Sequence, residues 1–587
     1  MIKKGILLIT FCLFVQSSFA YDWTYIARVG NNSGGALKTF YLWLPPKAEG
    51  VRGVIMSSVG RITQLSGDST IRKACKESDI GIMGCLNLDG NFAVADTQYI
   101  NNALAEFALQ SKLPELNNIP LASYGTSVGG IFAWEVAYAY PGRFFAIIQD
   151  NSVYTKPPAW ASAGSNLAEV PLILSRGYLE PVGDKPWLSK DSVLKQRSLG
   201  GKANMILAAG LGHFSWTNWE ANYLAKWIKK AATARIPQGE YARISKPVLF
   251  TIPQETGWLT DTNFTSSPIV SASYSAYSGD KEKALWHFDE EMATLWINMH
   301  QGQFTKTVQQ GQYNNSQLDN CPNPPWQQCS PTLVIADYTL LNPNAVTNAG
   351  LPVRYGVYNG PFRNEPNNNI SLDPTLIDES TKGWVVAIQE GDATHQGWER
   401  AVQLLVAKKT NGTNQTITIS PIADQTDTSA FVLLNPTSTS GLSVVSRVKS
   451  GPAEIIGNQL HFRPFAGDLG ARAAVIIRYG QSGNATFNTA GLRTDTIWVT
   501  KTIVGVSKKM KADKNFFYPN PGKSNVFWKG SEAPLLLTVS DMQGCILRNE
   551  RAKSPANRYD FYDLPKGSYL IRYQTKSEVG TFIWIKE

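Results

Sequence analysis

The sequence has few of the residues that bind metals or redox cofactors. It contains six cysteines and five histidines in 587 residues, and it has no Cys-x-x-Cys pair and no cluster of histidines. Structural zinc sites depend on closely spaced cysteines and histidines. We therefore expect no metal site and no cofactor.

Long apolar runs and dense charge clusters are scarce as well. After the first 20 residues, no segment stays apolar over the roughly 20 residues that a membrane-spanning helix needs. The 55 Lys and Arg residues exceed the 46 Asp and Glu residues, but the basic residues are spread along the chain. Nucleic acid binding is not indicated, and we expect a mature chain without a transmembrane segment.

The first 20 residues have the pattern of a cleaved signal peptide. Lys3 and Lys4 precede an apolar run from Ile6 to Val15, and small residues follow at Ser18 and Ala20. Residues 1–20 are therefore predicted to be removed. An export route permits disulfides. The two candidate pairs, close in sequence, are Cys75 with Cys85 and Cys321 with Cys329, and Cys545 would be left over.

The order of apolar patterns predicts several domains. A hairpin over Trp23–Leu44 is followed, up to about residue 235, by strands and helices that alternate. Such alternation indicates a mostly parallel sheet with helices on both faces. Residues 236–330, with one helix predicted over Asp280–Gln301, are expected to connect and to pack on that core. Residues 331–505 have the short strands of a β-sandwich, without a repeat at a fixed period, and residues 506–587 form a small β-domain.

Gly-Thr-Ser-Val-Gly at 125–129 is the motif that indicates chemistry. A predicted strand, Leu121–Tyr124, precedes it and a predicted helix begins at Val128. Glycines on both sides of a serine permit a sharp turn from strand to helix, which exposes the hydroxyl for attack on a carbonyl carbon. Ser127 is the predicted nucleophile.

A serine nucleophile needs a general base, and histidine has a suitable pKa. His213 follows the predicted strand Asn204–Ala208 and is the one histidine within the strand-helix region. The other four, at 287, 300, 395 and 461, lie outside that region and are interpreted as structural or surface residues. His213 is therefore the predicted base.

A carboxylate should orient the histidine, and in this chain order it lies between serine and histidine. The segment 170–184 contains a predicted strand, Val170–Ser175, and after it offers Glu180 and Asp184. We favour Glu180, which lies three residues after Gly177 and just before a proline. Asp184 is the alternative acid, and Asp150, after the preceding strand, remains open.

An acyl-transfer site also needs two donors for the oxyanion. One is expected to be the backbone N–H of Val128. The other is expected from the loop after the first parallel strand, at Ser58 or Val59, although the HGGG motif of many esterases is missing there.

Ser127, Glu180 and His213, in this order, resemble the triad of the α/β-hydrolase superfamily over about residues 23–235. Within it the segment looks closest to secreted feruloyl esterases, polyhydroxybutyrate depolymerases and carbohydrate esterases. The resemblance implies an α/β-hydrolase catalytic domain over residues 21–235.

The C-terminus carries a second resemblance, over about residues 514–587. Phe517-Tyr518-Pro519-Asn520-Pro521, Val539-Ser540-Asp541-Met542-Gln543-Gly544 and the stretch from Leu564 to Ile571 look like the type A sorting domain of the Bacteroidetes type IX secretion system. The resemblance implies the type IX machinery as a partner. It also implies passage through the periplasm to the cell surface or the medium.

These features together predict a secreted serine ester hydrolase that acts on ester groups of extracellular polysaccharide. A serine peptidase of the same fold is one alternative. The other is an inactive hydrolase-like protein that binds glycans on its β-sandwich, through residues such as Trp384 and Trp398. Fold alone does not decide among the three.

Overall fold

The structure is a computed structural model that describes most of the chain between residues 25 and 587. The described segments are 25–31, 37–45, 50–57, 62–86, 96–111, 113–127, 129–140, 142–152, 167–179, 186–214, 216–237, 248–264, 268–313, 332–337, 340–357, 360–365, 369–378, 381–462, 472–501, 516–518, 521–523, 525–529, 533–541, 546–551, 558–575 and 579–587. The predicted signal peptide lies outside them. The chain divides into two compact units, residues 1–502 and 503–587.

An eight-stranded sheet organises the first part of the chain. Its strands are β1 (Tyr25–Asn31), β2 (Leu37–Trp43), β3 (Gly53–Ser57), β4 (Ile80–Leu86), β5 (Leu121–Thr126), β6 (Phe144–Asp150), β7 (Leu172–Gly177) and β8 (Ala203–Ala208). They lie in the order β1-β2-β4-β3-β5-β6-β7-β8. The hairpin pairs antiparallel to β4, and β3 to β8 are parallel neighbours. The predicted mostly parallel sheet that begins with a hairpin is confirmed.

Helices cover both faces of this sheet. They are α1 (Ile62–Gly67), α2 (Ser69–Glu77), α3 (Asp96–Ser111), α4 (Gly129–Ala139), α5 (Pro186–Ser198) and α6 (Asn218–Arg235). The crossover from β3 to β4 runs one way across the sheet and all later crossovers run the other way. Because such crossovers are right-handed, α1 and α2 lie on one face and α3 to α5 on the other. α6 packs against α2.

The parallel strands are apolar along their length because both faces are covered. β3, β5, β6, β7 and β8 are buried from end to end. After β8, a capping box starts α6: Thr217 Oγ1 accepts from Glu220 N, and the Glu220 carboxylate accepts from Thr217 N. Since parallel strands all end at one edge, the segments after β5, β6, β7 and β8 meet there.

The segment after α6 packs behind β8. It contains β9 (Trp258–Thr260), β10 (Ser271–Ser273), β11 (Leu285–His287) and α7 (Glu290–His300). Short 3₁₀ turns lie at Pro114–Asn118, Gln254–Thr256, Lys281–Lys283, Gln303–Thr305 and Ile335–Asp337. Trp296 Nε1 donates to Met205 O at 2.6 Å, and Leu207 N donates to His300 Nε2 at 3.0 Å. Both bonds join this segment to β8.

The single helix predicted over Asp280–Gln301 is wrong in its first half. Leu285–His287 instead pairs antiparallel with β9. The helix then starts after Asp289, whose side chain accepts from Met292 N at 3.0 Å. The apolar run before that cap is compatible with either strand or helix, and pairing with β9 decides between them.

Residues 311–500 form two sets of strands with the same topology. The first set is β12 (Gly311–Tyr313), β13 (Thr332–Val334), β14 (Leu340–Leu341), β15 (Ala345–Thr347), β16 (Arg354–Val357), β17 (Phe362–Glu365), β18 (Asn369–Leu372), β19 (Lys382–Gln389) and β20 (Trp398–Ala407). The second set is β21 (Ile417–Thr418), β22 (Gln425–Thr426), β23 (Val432–Leu433), β24 (Thr437–Ser438), β25 (Val445–Ser450), β26 (Ala453–Ile456), β27 (Gln459–Phe462), β28 (Arg472–Gly480) and β29 (Arg493–Thr500). We call residues 311–407 the first β-sandwich and residues 417–500 the second.

Each strand of the first β-sandwich has a counterpart nine strands later. The sheets β12-β15, β13-β20-β19-β16 and β14-β18-β17 match β21-β24, β22-β29-β28-β25 and β23-β27-β26. In both, the second strand pairs parallel to the last, and each has its own apolar core. The chain therefore carries a structural duplication that its sequence did not reveal. The boundaries expected at 235, 330 and 505 stay predictions.

One loop shows the duplication at residue level. Gln389 ends β19 and Gln481 directly follows β28. The side-chain oxygen of each accepts the backbone N–H of a glycine two residues on, at 2.7 and 2.5 Å. Those glycines, Gly391 and Gly483, have φ of +81° and +86°, a region that favours glycine. The two loops share the pattern Gln-x-Gly-Asp/Asn-Ala-Thr.

The C-terminal unit is a small β-domain. Its strands are β30 (Phe516–Tyr518), β31 (Asn525–Lys529), β32 (Leu536–Asp541), β33 (Ile546–Arg551), β34 (Arg558–Asp560), β35 (Gly567–Gln574) and β36 (Val579–Lys586). They form the sheets β30-β31-β34 and β33-β32-β35-β36. Val526, Val539, Ile571 and Trp584 are fully buried between them. The predicted small C-terminal β-domain is confirmed.

Candidate active site

Ser127 lies on a sharp turn between β5 and α4. Its φ is +54°, which is costly for a residue with a side chain and is typical of a nucleophile elbow. The backbone N–H of Ser127 donates to Asp150 O at 3.2 Å, and Gly130 N donates to Ser127 O at 3.0 Å. Ser127 is partly exposed, whereas all of β5 before it is buried.

The glycines around Ser127 are required by close approach. A Cβ on Gly125 would lie 2.3 Å from Gly129 O, and a Cβ on Gly130 would lie 1.8 Å from Ser152 Oγ. No side chain fits at either position without moving the backbone. This crowding explains the glycines at 125 and 130 in packing terms.

Asp150, at the end of β6, is hydrogen-bonded to the strand that leads to Ser127. Its carboxylate accepts from Tyr124 Oη at 3.1 Å, Thr126 Oγ1 at 3.3 Å and Asn151 Nδ2 at 2.8 Å. Tyr124 and Thr126 belong to the strand that ends at Ser127. These bonds give Asp150, the open third option for the acid, a role in holding β5 and β6 together.

His213 lies on the loop between β8 and α6, which we call the histidine loop (residues 209–217). The loop turns at Gly210, with φ of +76°. The imidazole is partly exposed and meets the Phe214 ring edge to face, with centroids 5.2 Å apart. Trp216, farther along the loop, contacts Tyr124 of β5 at 6.1 Å between ring centroids. The segments that carry Ser127 and His213 thus meet at one edge of the sheet.

The histidine loop also contacts the end of β7. Tyr178 N donates to Ala208 O at 2.9 Å, and Leu179 N donates to Leu211 O at 2.8 Å. A Cβ on Gly177 would lie 2.2 Å from Gly212 O. The chain that leads directly into Glu180 therefore runs along the loop that carries His213.

Several predicted site residues lie outside the described residues. They are the two candidate acids Glu180 and Asp184, the oxyanion candidates Val128, Ser58 and Val59, and the cysteines Cys321, Cys329 and Cys545. Their roles stay predictions.

The candidate disulfide between Cys75 and Cys85 is wrong. Both residues are free cysteines, one in α2 and the other in β4, and neither has exposed surface. Burial raises the pKa of the Cys75 thiol to about 12 and also raises that of Cys85. Both behave as small apolar side chains of the core.

Two of the remaining histidines are deeply buried. Burial lowers the pKa of His287 and His300 to about 3, because a low dielectric disfavours the imidazolium. His300 Nε2 accepts from Leu207 N, and its Nδ1 bonds to Trp296 O at 2.7 Å. These contacts make His300 a neutral structural residue behind β8.

The tryptophans considered for glycan binding are used in packing. Trp398 is only 8% exposed and belongs to the core of the first β-sandwich. The ring of Trp384 packs on Phe214 of the histidine loop, with centroids 5.6 Å apart. Burial leaves Trp398 no open face for a sugar, whereas Trp384 is partly exposed.

The first β-sandwich contacts the histidine loop, and no pattern in the sequence indicated this contact. The Glu399 carboxylate accepts from Gly212 N at 3.0 Å and from Phe214 N at 2.9 Å, the residues on either side of His213. Gly397 N donates to Ala209 O at 3.2 Å. No local pattern signals a pairing between residues 187 positions apart.

Within the part of the chain that the structure describes, no three His, Cys, Asp or Glu side chains come together as a metal ion would need. The helices of that part also include none with the length and apolar character of a membrane span.

The strand order, the elbow and the edge on which these loops meet define an α/β-hydrolase fold. The C-terminal residues 516–586 match the family described as the secretion system C-terminal sorting domain. The chain thus joins an α/β-hydrolase core to a sorting domain, which implies the type IX machinery and export to the cell surface or beyond.

Among solved structures, the chain is similar to α/β-hydrolases. An S-formylglutathione hydrolase from Agrobacterium tumefaciens matches at 13% identity and a TM-score of 0.25, over 35% of this chain and 94% of that one. Esterase PE8 matches at 16% identity and a TM-score of 0.23, over 32% of this chain and 97% of that one. An acetyl xylan esterase from Aspergillus awamori matches at 14% identity and a TM-score of 0.24, over 32% of this chain and 94% of that one. No curated protein matches the chain. The chemistry has to follow from its own residues.

Proposed function

We propose that the chain is an exported serine carboxylic-ester hydrolase. Ser127 attacks the ester carbonyl, His213 takes the proton of Ser127 and passes it to the leaving alcohol, and Glu180 orients His213. Water then releases the acyl group with His213 as the base. The reaction needs no cofactor.

The observation that carries the proposal is the backbone of Ser127. Ser127 is a non-glycine residue at φ of +54°, and Gly125 and Gly130 near it have no room for a Cβ. Backbone strain of this kind is typical of sites where it positions a reacting group. The contacts of the histidine loop with β5 and with the end of β7 support His213 as the base.

The oxyanion is assigned to backbone donors. The N–H of Val128 would be one, because Val128 directly follows the nucleophile in the sequence. Ser58 or Val59, in the loop after β3, would supply the other. β3 ends at Ser57, at the same edge of the parallel sheet as the end of β5.

The substrate is proposed to be an ester group on extracellular polysaccharide. Export by the sorting domain supports a substrate outside the cell, where polymer-borne esters occur. Initial rates on acetyl, feruloyl, glucuronoyl-methyl and longer aliphatic esters, with an amide series beside them, test this part. Faster turnover of peptide amides than of any ester would contradict it.

The nucleophile is tested with a fluorophosphonate probe on the full chain. We expect the wild type to be labelled and Ser127→Ala to be unlabelled, with turnover of p-nitrophenyl acetate lowered by about 10⁴-fold or more in both Ser127→Ala and His213→Ala. Ser198→Ala, at an exposed serine of α5, is the matched control and should be labelled normally. Equal labelling of wild type and Ser127→Ala would refute the proposal.

A further inference from the structure

The first β-sandwich contacts the histidine loop through a carboxylate. Glu399 is 8% exposed, and its two oxygens accept two backbone N–H groups of the loop, Oε2 from Gly212 and Oε1 from Phe214. Those peptide groups stand on either side of His213. One side chain therefore fixes both peptide planes that determine where the imidazole points.

The backbones around this contact are closely packed. A Cβ on Gly210 would lie 2.0 Å from Gly397 O, and a Cβ on Gly397 would lie 2.7 Å from Leu211 Cδ2. The two backbones thus touch without room for side chains. On the far side of the loop, Gln303 accepts from Ala209 N at 3.0 Å and donates to Leu207 O at 2.7 Å.

Apolar packing closes the interface. Leu211 and Phe214 of the histidine loop are buried with Val386 and Ile388 of β19. β19 pairs with β20 so that Ile388 lies opposite Glu399. The carboxylate therefore emerges from a strand whose own position is set by the core of the first β-sandwich, and its geometry does not depend on a mobile loop.

We infer that Glu399 is a positioning residue for His213 and that the first β-sandwich is a working part of the active site rather than a spacer. A buried carboxylate that accepts two N–H groups forms stronger bonds than a neutral acceptor. Its loss leaves both N–H groups without that acceptor. General-base catalysis depends on geometry at the scale of about 1 Å, so a shift of the loop lowers kcat. This inference rests on the proposed function.

The test compares three variants of the full chain. Glu399→Gln keeps the shape of the side chain. Its amide NH₂ group is a donor, however, so it cannot accept from one of the two backbone N–H groups, and one of the two hydrogen bonds is lost. We expect kcat for p-nitrophenyl acetate to fall by on the order of tenfold to a hundredfold, with KM changed by less than about twofold. Glu399→Asp keeps the charge but shortens the side chain, and it should also lower kcat.

Glu390→Gln is the matched control. Glu390 also joins the first β-sandwich to the core, through Asn218 N at 2.7 Å, but at the start of α6 and away from His213. This variant should keep the kcat of the wild type. An equal loss in Glu390→Gln and Glu399→Gln would overturn the inference, because it would mean that general loosening of the interface lowers kcat.

A double-mutant cycle separates positioning from stability. If Glu399 acts through His213, Glu399→Gln has no further effect on the residual rate of His213→Ala, whereas a merely structural role persists in that background. Full kcat in folded Glu399→Gln, or the same loss with and without His213, would overturn the inference. Hydrolysis unaffected by Ser127→Ala would instead refute the proposed function itself, and the two failures are thus distinguishable.

Discussion

Gly177, the last residue of β7, lies so close to Gly212 that a Cβ on Gly177 would be 2.2 Å from the Gly212 carbonyl oxygen. Just after Gly177, Tyr178 N donates to Ala208 O at the end of β8, and Leu179 N donates to Leu211 O of the histidine loop. The turn that leads to Glu180 and the loop that carries His213 are therefore packed directly on each other.

Gly177→Ala should damage activity through this contact. The added methyl group has to displace the histidine loop or β7, and we expect kcat/KM on activated esters to fall at least about tenfold, together with a lower melting temperature. Gly67→Ala is the control, because a Cβ there meets nothing within 4 Å. A kcat/KM equal to that of the wild type in Gly177→Ala would contradict the prediction, because the histidine loop would then accommodate the methyl group without a shift of His213.

The strain at Ser127 predicts an unusual order of stability. Both Ser127→Gly and Ser127→Ala lack the hydroxyl and should be inactive. Because φ is +54°, the glycine variant should be more stable than the alanine variant by about 1 kcal/mol. Urea unfolding of the core followed by tryptophan fluorescence measures the difference. Ser192, inside α5, provides the comparison, since glycine in a helix should be less stable than alanine by a similar amount. The same order at both positions would argue against strain.

The choice of the acid can be decided by two neutral substitutions. Glu180→Gln removes the charge that is proposed to stabilise the imidazolium of His213, and it should lower kcat, though less than His213→Ala does. Asp184→Asn should leave kcat nearly unchanged. Steady-state kinetics on one activated ester are sufficient. The reverse pattern would move the acid to Asp184, and silence of both would direct attention to Asp150.

Buried His300 predicts a loss of stability in mild acid. Burial lowers the pKa of His300 in the folded chain to about 3. In the unfolded chain its pKa returns to the usual value for histidine, about 6.5. Below about pH 6.5 the unfolded state binds a proton that the folded state excludes, so stability falls as the pH drops from there toward 3.

His300→Gln should weaken this dependence. Glutamine offers an oxygen to Leu207 N but does not titrate, so between pH 7 and pH 5 the variant should lose about 2 kcal/mol less than the wild type does. At pH 8, His300 is neutral in both the folded and the unfolded chain. The difference in unfolding free energy between the two proteins at that pH therefore gives the packing cost of the substitution alone. Parallel stability curves from pH 8 to pH 5 would contradict the prediction.

The local parts of the fold were predictable because their causes are local. Continuous apolar runs marked β3 and β5 to β8, and glycines that crowd one another marked the turn at Ser127. The helix predicted across Leu285–His287 failed because a short apolar run suits a strand equally well, although Asp289 as a helix cap was a usable signal.

Contacts between distant surfaces were not predictable in this way. Glu399 lies in a strand with ordinary alternation, and nothing near it in sequence indicates that its carboxylate meets Gly212 and Phe214. The duplication of the β-sandwich was hidden because topology, rather than sequence, is what the two copies share. The Gln-x-Gly-Asp/Asn-Ala-Thr loops at Gln389 and Gln481 were the signal that could have revealed it.

The contact of Gly397 with Ala209 and Gly210 determines how far the chain can be shortened from its C-terminus without exposing the histidine loop. A fragment that ends near residue 235 would retain Ser127 and His213, yet Leu211 and Phe214 would face water. The backbone N–H groups of residues 209, 212 and 214 would lose the acceptors that Gln303 and Glu399 supply. The smallest fragment with an intact histidine loop therefore extends through β20, to about Ala407, nearly twice the length that the hydrolase fold alone suggests.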